Sequence, residues 1–216
     1  MKQPLVPRSR AEFLDWVDAS GLIAAEPLRE AIEAVQRDRF VPAYWGDPYG
    51  RGSIPIDCGE TMLDPEQAFR LFSAIDPEPH HRVLEVGTGS GYLTALLAKT
   101  VLHVTSLERY RRLLKGAEAA LQRSSITNVS LFVADGSEGY REGAPYDRIV
   151  IHSAFPAVPR LFVDQLVAQG ALICAIGPGD GEQMLVRMQK VGSRFERQDL
   201  WPVRYQPIAF GTAEVL

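Results

Sequence analysis

The chain has 216 residues, of which 46% are hydrophobic and 23% charged, with 27 acids against 23 bases and a formal charge of −4. That balance fits an ordinary globular protein and excludes a disordered tail or a collagen-like repeat. The acidic excess argues against a dedicated nucleic-acid binder, because phosphate contacts need a basic face. In chain order, "RAEFLDWVDASG" predicts a helix with Phe13, Leu14 and Val17 on one face and a stop at Gly21. "EPLREAIEAVQRDRFVP" predicts a second, with Pro27 at its first position and Leu28, Ile32 and Val35 on one stripe. "AYWGDPYGRGSIPIDCGET" is a long Gly/Pro-rich loop, of the kind that in a compact domain is functional or disordered.

"IDCGETMLDP" has no period of 2 or 3.6 and precedes the helical pattern "EQAFRLFSAI"; Asp64, Pro65 and Gln67 form a helix start by capping. From residue 82 the texture changes. "RVLEVG", "LHVTSLE", "VSLFVAD", "YDRIVIHS" and "GALICAIG" read as strands, and "YLTALLAKT", "YRRLLKGAEAALQRS" and "VPRLFVDQLVAQ" as helices between them. This alternation predicts an α/β fold with a mainly parallel sheet and helices on both faces. "EQMLVRMQKV", "RFERQDLWPV" and "RYQPIAF" predict a terminal strand meander at the sheet edge.

The strongest local signal is Glu85-Val86-Gly87-Thr88-Gly89-Ser90-Gly91, directly after a strand and opening a helix. Glycines there permit a tight turn and close backbone approach to a ligand, and the helix N-terminus offers free N–H groups. The spacing is not the dinucleotide Gly-x-Gly-x-x-Gly, and no P-loop Lys follows, so a nicotinamide-dependent redox function is a distant alternative. Glu85, two residues before Gly87, suits a ligand with a cationic or zwitterionic tail. Glu108 ends the next strand, where a carboxylate reaches ribose hydroxyls. Asp135-Gly136 ends the one after, where an acid meets the exocyclic amine of adenine. The three strand ends fall together at the C-terminal edge of the sheet.

Taken with "PYDRIVI", these stretches resemble the class I S-adenosylmethionine-dependent methyltransferases. More narrowly, "RFVP", "GETMLDP", "VLEVGTGSGYLTALLA", "DGSEG", "APYDRIVI", "QLVAQGALICAIG" and "PVRYQPI" resemble, in order from about residue 30 to 208, the protein-L-isoaspartate O-methyltransferases. The resemblance implies a Rossmann-like catalytic domain over 66–216 that binds S-adenosyl-L-methionine, and a helical N-terminal region with the active-site loop over 1–65. It implies a cofactor site of Glu85, Gly87, Thr88, Gly89, Gly91, Glu108, Asp135 and Gly136. It implies a peptide or protein carboxylate as acceptor, and places Tyr205 and Pro207 near bound peptide.

One departure matters. The family's loop carries a Ser with an active-site role where this chain has Leu63; Glu60 replaces a Gln, and Glu66 stands at a frequent His. Leucine offers no hydrogen bond. Thr61 is an alternative source of the hydroxyl, and His152, at the end of "RIVIHS", is either a base for a hydroxyl or amine acceptor or a histidine hydrogen-bonded beside the loop. Thr61, Leu63 and His152 are the candidate catalytic positions. Glu60 would repel an anionic substrate if it faced one.

Three functions stay open: methyl transfer to an isoaspartyl or other peptide carboxylate, transfer to a different acceptor such as a small molecule, and cofactor binding without catalysis. Arg109, Arg111, Arg112 and Lys115 are expected on a solvated helix face, and Trp16, Trp45 and Trp201 as core or loop anchors. Cys58 and Cys174 stand alone and the histidines offer no ligand spacing, so no metal is expected. The segment "MKQPLVPRSRAEF" has no signal-peptide core and no apolar run approaches 18 residues. The expectation is a reduced cytoplasmic protein off the membrane, a monomer or small homo-oligomer.

Overall fold

Alternating residues of the central strands decide the layering. In the computed structural model, which describes residues 7–23, 26–42, 44 and 46–213, the N-terminal elements are α1 (Arg10–Ser20), α2 (Glu26–Ala34), the two-residue strands β1 (Ile54–Pro55) and β2 (Thr61–Met62), and α3 (Pro65–Ile75). There follow β3 (Arg82–Val86), α4 (Tyr92–Ala98), β4 (His103–Glu108), α5 (Arg111–Arg123), β5 (Val129–Val133), β6 (Tyr146–Phe155), β7 (Leu166–Ile176), β8 (Gln183–Val191) and β9 (Arg194–Val203). The large sheet has the order β5-β4-β3-β6-β7-β8-β9. Its neighbours from β5 to β7 pair in parallel, while β8 and β9 run antiparallel.

Within each central strand, successive apolar residues go to opposite faces. Val83, Val104, Val150 and Ile173 join Phe13, Val17, Leu28, Ile32, Phe69, Leu96 and Leu97 in the core beneath the α-helices. Leu84, Leu107, Ile149, Ile151, Leu172 and Cys174 join Phe162, Val186 and Met188 in the core on the other face. α1 ends at Gly21, whose φ of 67° is the left-handed cap that its sequence position calls for. Asp64 caps α3 by accepting from the Gln67 N–H at 2.9 Å, with Pro65 at the first helical position.

Two expected elements differ. The helix expected over "VPRLFVDQLVAQ" is a short 3-10 helix, Arg160–Gln165. Leu166 already pairs with Tyr146 of β6, so strand pairing takes the rest of that apolar run; tertiary pairing overrides helix propensity. Likewise "RYQPIAF" is not a strand: it touches the sheet through a single bridge, Ala154 to Pro207, and proline lacks the N–H needed to extend a ladder. The segment from Arg204 onward instead runs as a strap across the C-terminal edge of the sheet. Ala154 N–H donates to the Gln206 carbonyl, Ile208 N–H to the Ala154 carbonyl, and Ala213 N–H to the Arg109 carbonyl. Trp16 and Trp201 pack against the helical core as expected. Trp45 lies outside the described residues.

Candidate active site

The sheet winds one way from β3 through β4 to β5 and the other way through β6 and β7, so a crevice opens where β3 meets its two neighbours. Open α/β sheets bind ligands at such a switch point. Here a cavity of about 420 Å³ lies over the strand ends, lined by the glycine loop, by Glu60 to Leu63 of the active-site loop, by His152 and Ser153, and by the strap from Arg204 to Ala209.

Register explains the site's chemistry. Glu85 and Ser106 are paired neighbours on β3 and β4, and each lies two residues beyond a valine of the helical core, so both face α4. The Glu85 carboxylate, 1% exposed, accepts on Oε2 from Thr94 Oγ1 at 2.5 Å and Ser106 Oγ at 2.7 Å. Thr88 Oγ1 shares a 2.6 Å hydrogen bond with Ser106 Oγ, tying the glycine loop to the same cluster. Oε1 remains toward the cavity, where His152 Nε2 stands 3.3 Å away. Gly87 has φ +98°, and a Cβ there would meet His152 Cβ at 3.1 Å, so a side chain would be strained in the turn and would crowd His152.

Glu108 is buried at the end of β4. One oxygen accepts from the Gly89 N–H at 2.9 Å, the other from the Tyr110 N–H at 3.0 Å. A carboxylate has about four acceptor lobes, so each oxygen retains capacity for a ribose hydroxyl. Burial raises the Glu108 pKa, and the backbone donors from Gly89 and Tyr110 oppose the rise. Gly136 also lines the cavity, against Val86.

The remaining expected cofactor residues divide. Gly87, Thr88 and Gly89 line the cavity. Gly91 instead caps α4 and packs on Ala117. Asp135 does not line the cavity. Its oxygens accept from Ser137 N–H at 2.8 Å and from the strap's Gly211 N–H at 2.6 Å. Burial acts to raise its pKa, but those donors outweigh it and hold the carboxyl below 3.8. Thr61, Leu63 and His152 all line the cavity, as do Tyr205 and Pro207.

Glu60 is half-buried, and burial, then Glu108, raise its pKa while Arg109 lowers it. Glu60, Glu108 and Arg109 all line the cavity.

Sequence reasoning missed several members. Thr94 and Ser106 had a visible signal, a hydroxyl in an otherwise apolar buried element. Arg109, expected on the solvated helix face, instead lines the cavity, with a buried Nε that has no hydrogen-bond partner among the described residues. Arg112, from the same run, is bound to Asp57 of the active-site loop at 3.1 Å.

The residues present fit a zwitterionic nucleoside: an acid below the glycine turn, a second acid at the ribose position, and a glycine wall beside Val86. Known proteins agree. The family model for protein-L-isoaspartate(D-aspartate) O-methyltransferase (PCMT) matches residues 8–213. The chain is 40% identical over 187 residues to the protein-L-isoaspartate O-methyltransferase of Parvibaculum lavamentivorans, covering 85% of this chain and 84% of that one. It is 39% identical over 208 residues to the enzyme of that name from Azorhizobium caulinodans, covering 96% and 95%. A Plasmodium falciparum protein-L-isoaspartate O-methyltransferase structure in complex with S-adenosyl-L-homocysteine superposes with a TM-score of 0.79 at 22% identity, over 94% of this chain and 99% of that one. Another structure of a protein of that name gives 0.82 at 22% identity, over 94% and 67%. The fold is thus the Rossmann-like class I methyltransferase fold, and the chain belongs to the protein-L-isoaspartate(D-aspartate) O-methyltransferase family, enzymes that use S-adenosyl-L-methionine as cofactor.

Proposed function

We propose that this protein methylates the side-chain carboxylate of an isoaspartyl residue in a damaged peptide or protein. The observation that carries the reading is one cavity that joins Glu85, the glycine loop and Glu108 to the active-site loop at Thr61–Leu63. Bound S-adenosyl-L-methionine supplies a methyl group already activated on a sulfonium sulfur. The chain's own residues then hold and align. Glu85 Oε1 receives the cofactor's ammonium, Glu108 the ribose hydroxyls, and the strap roofs the site against water. A carboxylate acceptor is ionised at neutral pH, with a reference pKa of about 4, so no side chain has to remove a proton. Positioning supplies most of the catalysis, and that tolerates a leucine at position 63 better than proton-transfer chemistry would. Thr61 gives the hydroxyl contact to the acceptor, and Arg109, which lines the same cavity, supplies a positive charge against that of Glu60.

The test is incubation with labelled S-adenosyl-L-methionine and an isoaspartyl peptide, read as a base-labile methyl ester. The protein should form the ester, and Leu63→Ser should raise kcat/KM several-fold. Cofactor binding without any base-labile ester would sink the assignment. His152 beside Glu85 favours a second reading, a neutral hydroxyl or amine acceptor deprotonated by the imidazole; a base-stable methyl product lost in His152→Ala would select it. Action in the cytoplasm as a monomer or small homo-oligomer belongs to the same proposal; among the described residues no helix is long and apolar enough to cross a membrane.

A further inference from the structure

We propose that Arg37 is a positioning residue that sets the active-site loop against the cofactor helix; the proposal rests on the methyltransferase reading. Arg37 lies on the 3-10 turn Arg37–Phe40 after α2, outside the cavity lining, and is 1% exposed. Its guanidinium donates through Nη2 to the Leu63 carbonyl at 2.9 Å and through Nε to the Pro48 carbonyl at 2.9 Å. It therefore ties together two points, Pro48 and Leu63, of the long segment that carries the acceptor side of the site. The same group stacks over the Tyr92 ring at 4.7 Å, and Tyr92 is the first residue of α4, directly after the glycine turn. Asp64, capping α3, fixes the chain immediately after Leu63. Position 63, where the family carries its active-site Ser, is thus clamped between a guanidinium on its own carbonyl and a helix cap.

This arrangement is a poor one for stability alone. Burial pulls the Arg37 pKa below the usual guanidinium range, opposed by Tyr92 and Asp64. Its Nη1 and the Tyr92 hydroxyl are both buried without a hydrogen bond of good geometry and have only each other's side chain as polar partner, and imperfectly paired buried polar groups add little to stability. A flexible apolar side chain would fill the space without burying a charge. What an arginine adds is a planar fork that fixes two carbonyls and one ring at once. Displacing the loop from the cofactor helix by an ångström is the kind of error that lowers methyl transfer about 100-fold.

Arg37→Met and Arg37→Lys test this through three readouts: amide exchange over the Ile54–Leu63 hairpin, S-adenosyl-L-homocysteine affinity, and kcat and KM on an isoaspartyl peptide. A folded Arg37→Met protein should exchange the Ile56 and Glu60 amides at least tenfold faster, because those N–H groups bond only within the loop. It should bind S-adenosyl-L-homocysteine as the parent does, and lose about 10- to 100-fold in kcat/KM, mostly in kcat. Lysine, with one donor direction toward Leu63, should restore part of both. Parental exchange and parental kcat/KM in a folded Met variant would overturn the proposal. So would a loss of cofactor affinity as large as the loss of kcat/KM, since Arg37 would then act only through α4. If the Met variant does not fold, the Lys variant decides on the same readouts. If the parent leaves the isoaspartyl peptide unmethylated, the acceptor assignment fails while amide exchange still decides the role of Arg37.

Discussion

Glu85→Gln removes one charge and almost no shape. In the parent, Oε2 accepts two hydroxyls, from Thr94 and Ser106, and Oε1 faces the cavity beside His152. Glutamine's carbonyl can keep both hydroxyl bonds, and its amide takes the place of Oε1. Each retained bond weakens from charge-assisted to neutral, a difference of about 1 kcal/mol. The buried charge no longer has to be desolvated, which offsets part of that. Stability should therefore change by less than about 2 kcal/mol. If Glu85 receives the cofactor's ammonium as proposed, cofactor binding should change far more, because a carboxylate facing that ammonium becomes an amide that sets two donors against each other. A lost charged hydrogen bond is worth about 1.5–3 kcal/mol, which is roughly 10- to 150-fold in affinity at 1.4 kcal/mol per decade. Isothermal titration with S-adenosyl-L-homocysteine isolates this contact, since that ligand keeps the ammonium and lacks the sulfonium. An unchanged dissociation constant in a folded variant would show that the amine lies elsewhere and that Glu85 serves the glycine loop alone.

Gly136→Ala places a Cβ 2.2 Å from Val86 Cγ1, on a side chain stiff at χ1. The overpacking should cost about 1–3 kcal/mol, seen as a fall in Tm of roughly 2–12 °C, and should weaken cofactor binding from the same wall. A parental Tm would refute it. Acid should weaken the fold through His81. Burial, then Arg148, holds its pKa below 6.5, and its Nδ1 accepts the Glu78 N–H, which only the neutral ring can do. The folded pKa is the depressed one, so this contribution is complete above pH 6.5 and is lost as the unfolded chain takes up the proton below it. His103, lowered by burial and Arg82, acts in the same direction. The raised carboxyls of Glu108 and Glu60 act in the opposite sense, since the folded state takes up their protons first, so the His81 contribution is read by difference: in urea unfolding, the change in stability from pH 7.5 to 5.5 should be less unfavourable in His81→Gln than in the parent, and an identical pH dependence in the two would contradict this.

Much of the site was legible because parallel strands expose their ends in a fixed order. Glu85, the glycine turn, Glu108 and Asp135-Gly136 were visible as strand ends followed by helix or turn starts, and a doubly wound sheet brings such ends to one edge whatever the intervening sequence. Two kinds of feature were not legible. The first is competition between local and distant partners: "VPRLFVDQL" has helical spacing, yet Leu166 found Tyr146 across the sheet. Asp135 similarly had the right place for adenine, and the structure gives one of its oxygens to Gly211, 76 residues away. The second is long-range polar contact, such as Arg37 to Leu63 or Glu85 to His152, which leaves no periodic trace.

Sequence by itself determined the alternation of strands and helices, the mainly parallel sheet and the acids at its strand ends, because each follows from local periodicity or from residue type at a strand end, while the resemblance to a known family supplied the cofactor and the departure at Leu63. Only the tertiary structure decided what surrounds those residues: that Glu60 shares a cavity with Glu108 and Arg109, that Asp135 holds the strap, and that a buried arginine grips the carbonyl of residue 63. The physical reason is that side-chain environment is set by which distant segments pack together. In this loop the consequence is specific: sequence shows that position 63 has lost its hydroxyl, and packing shows that its backbone is still held in place.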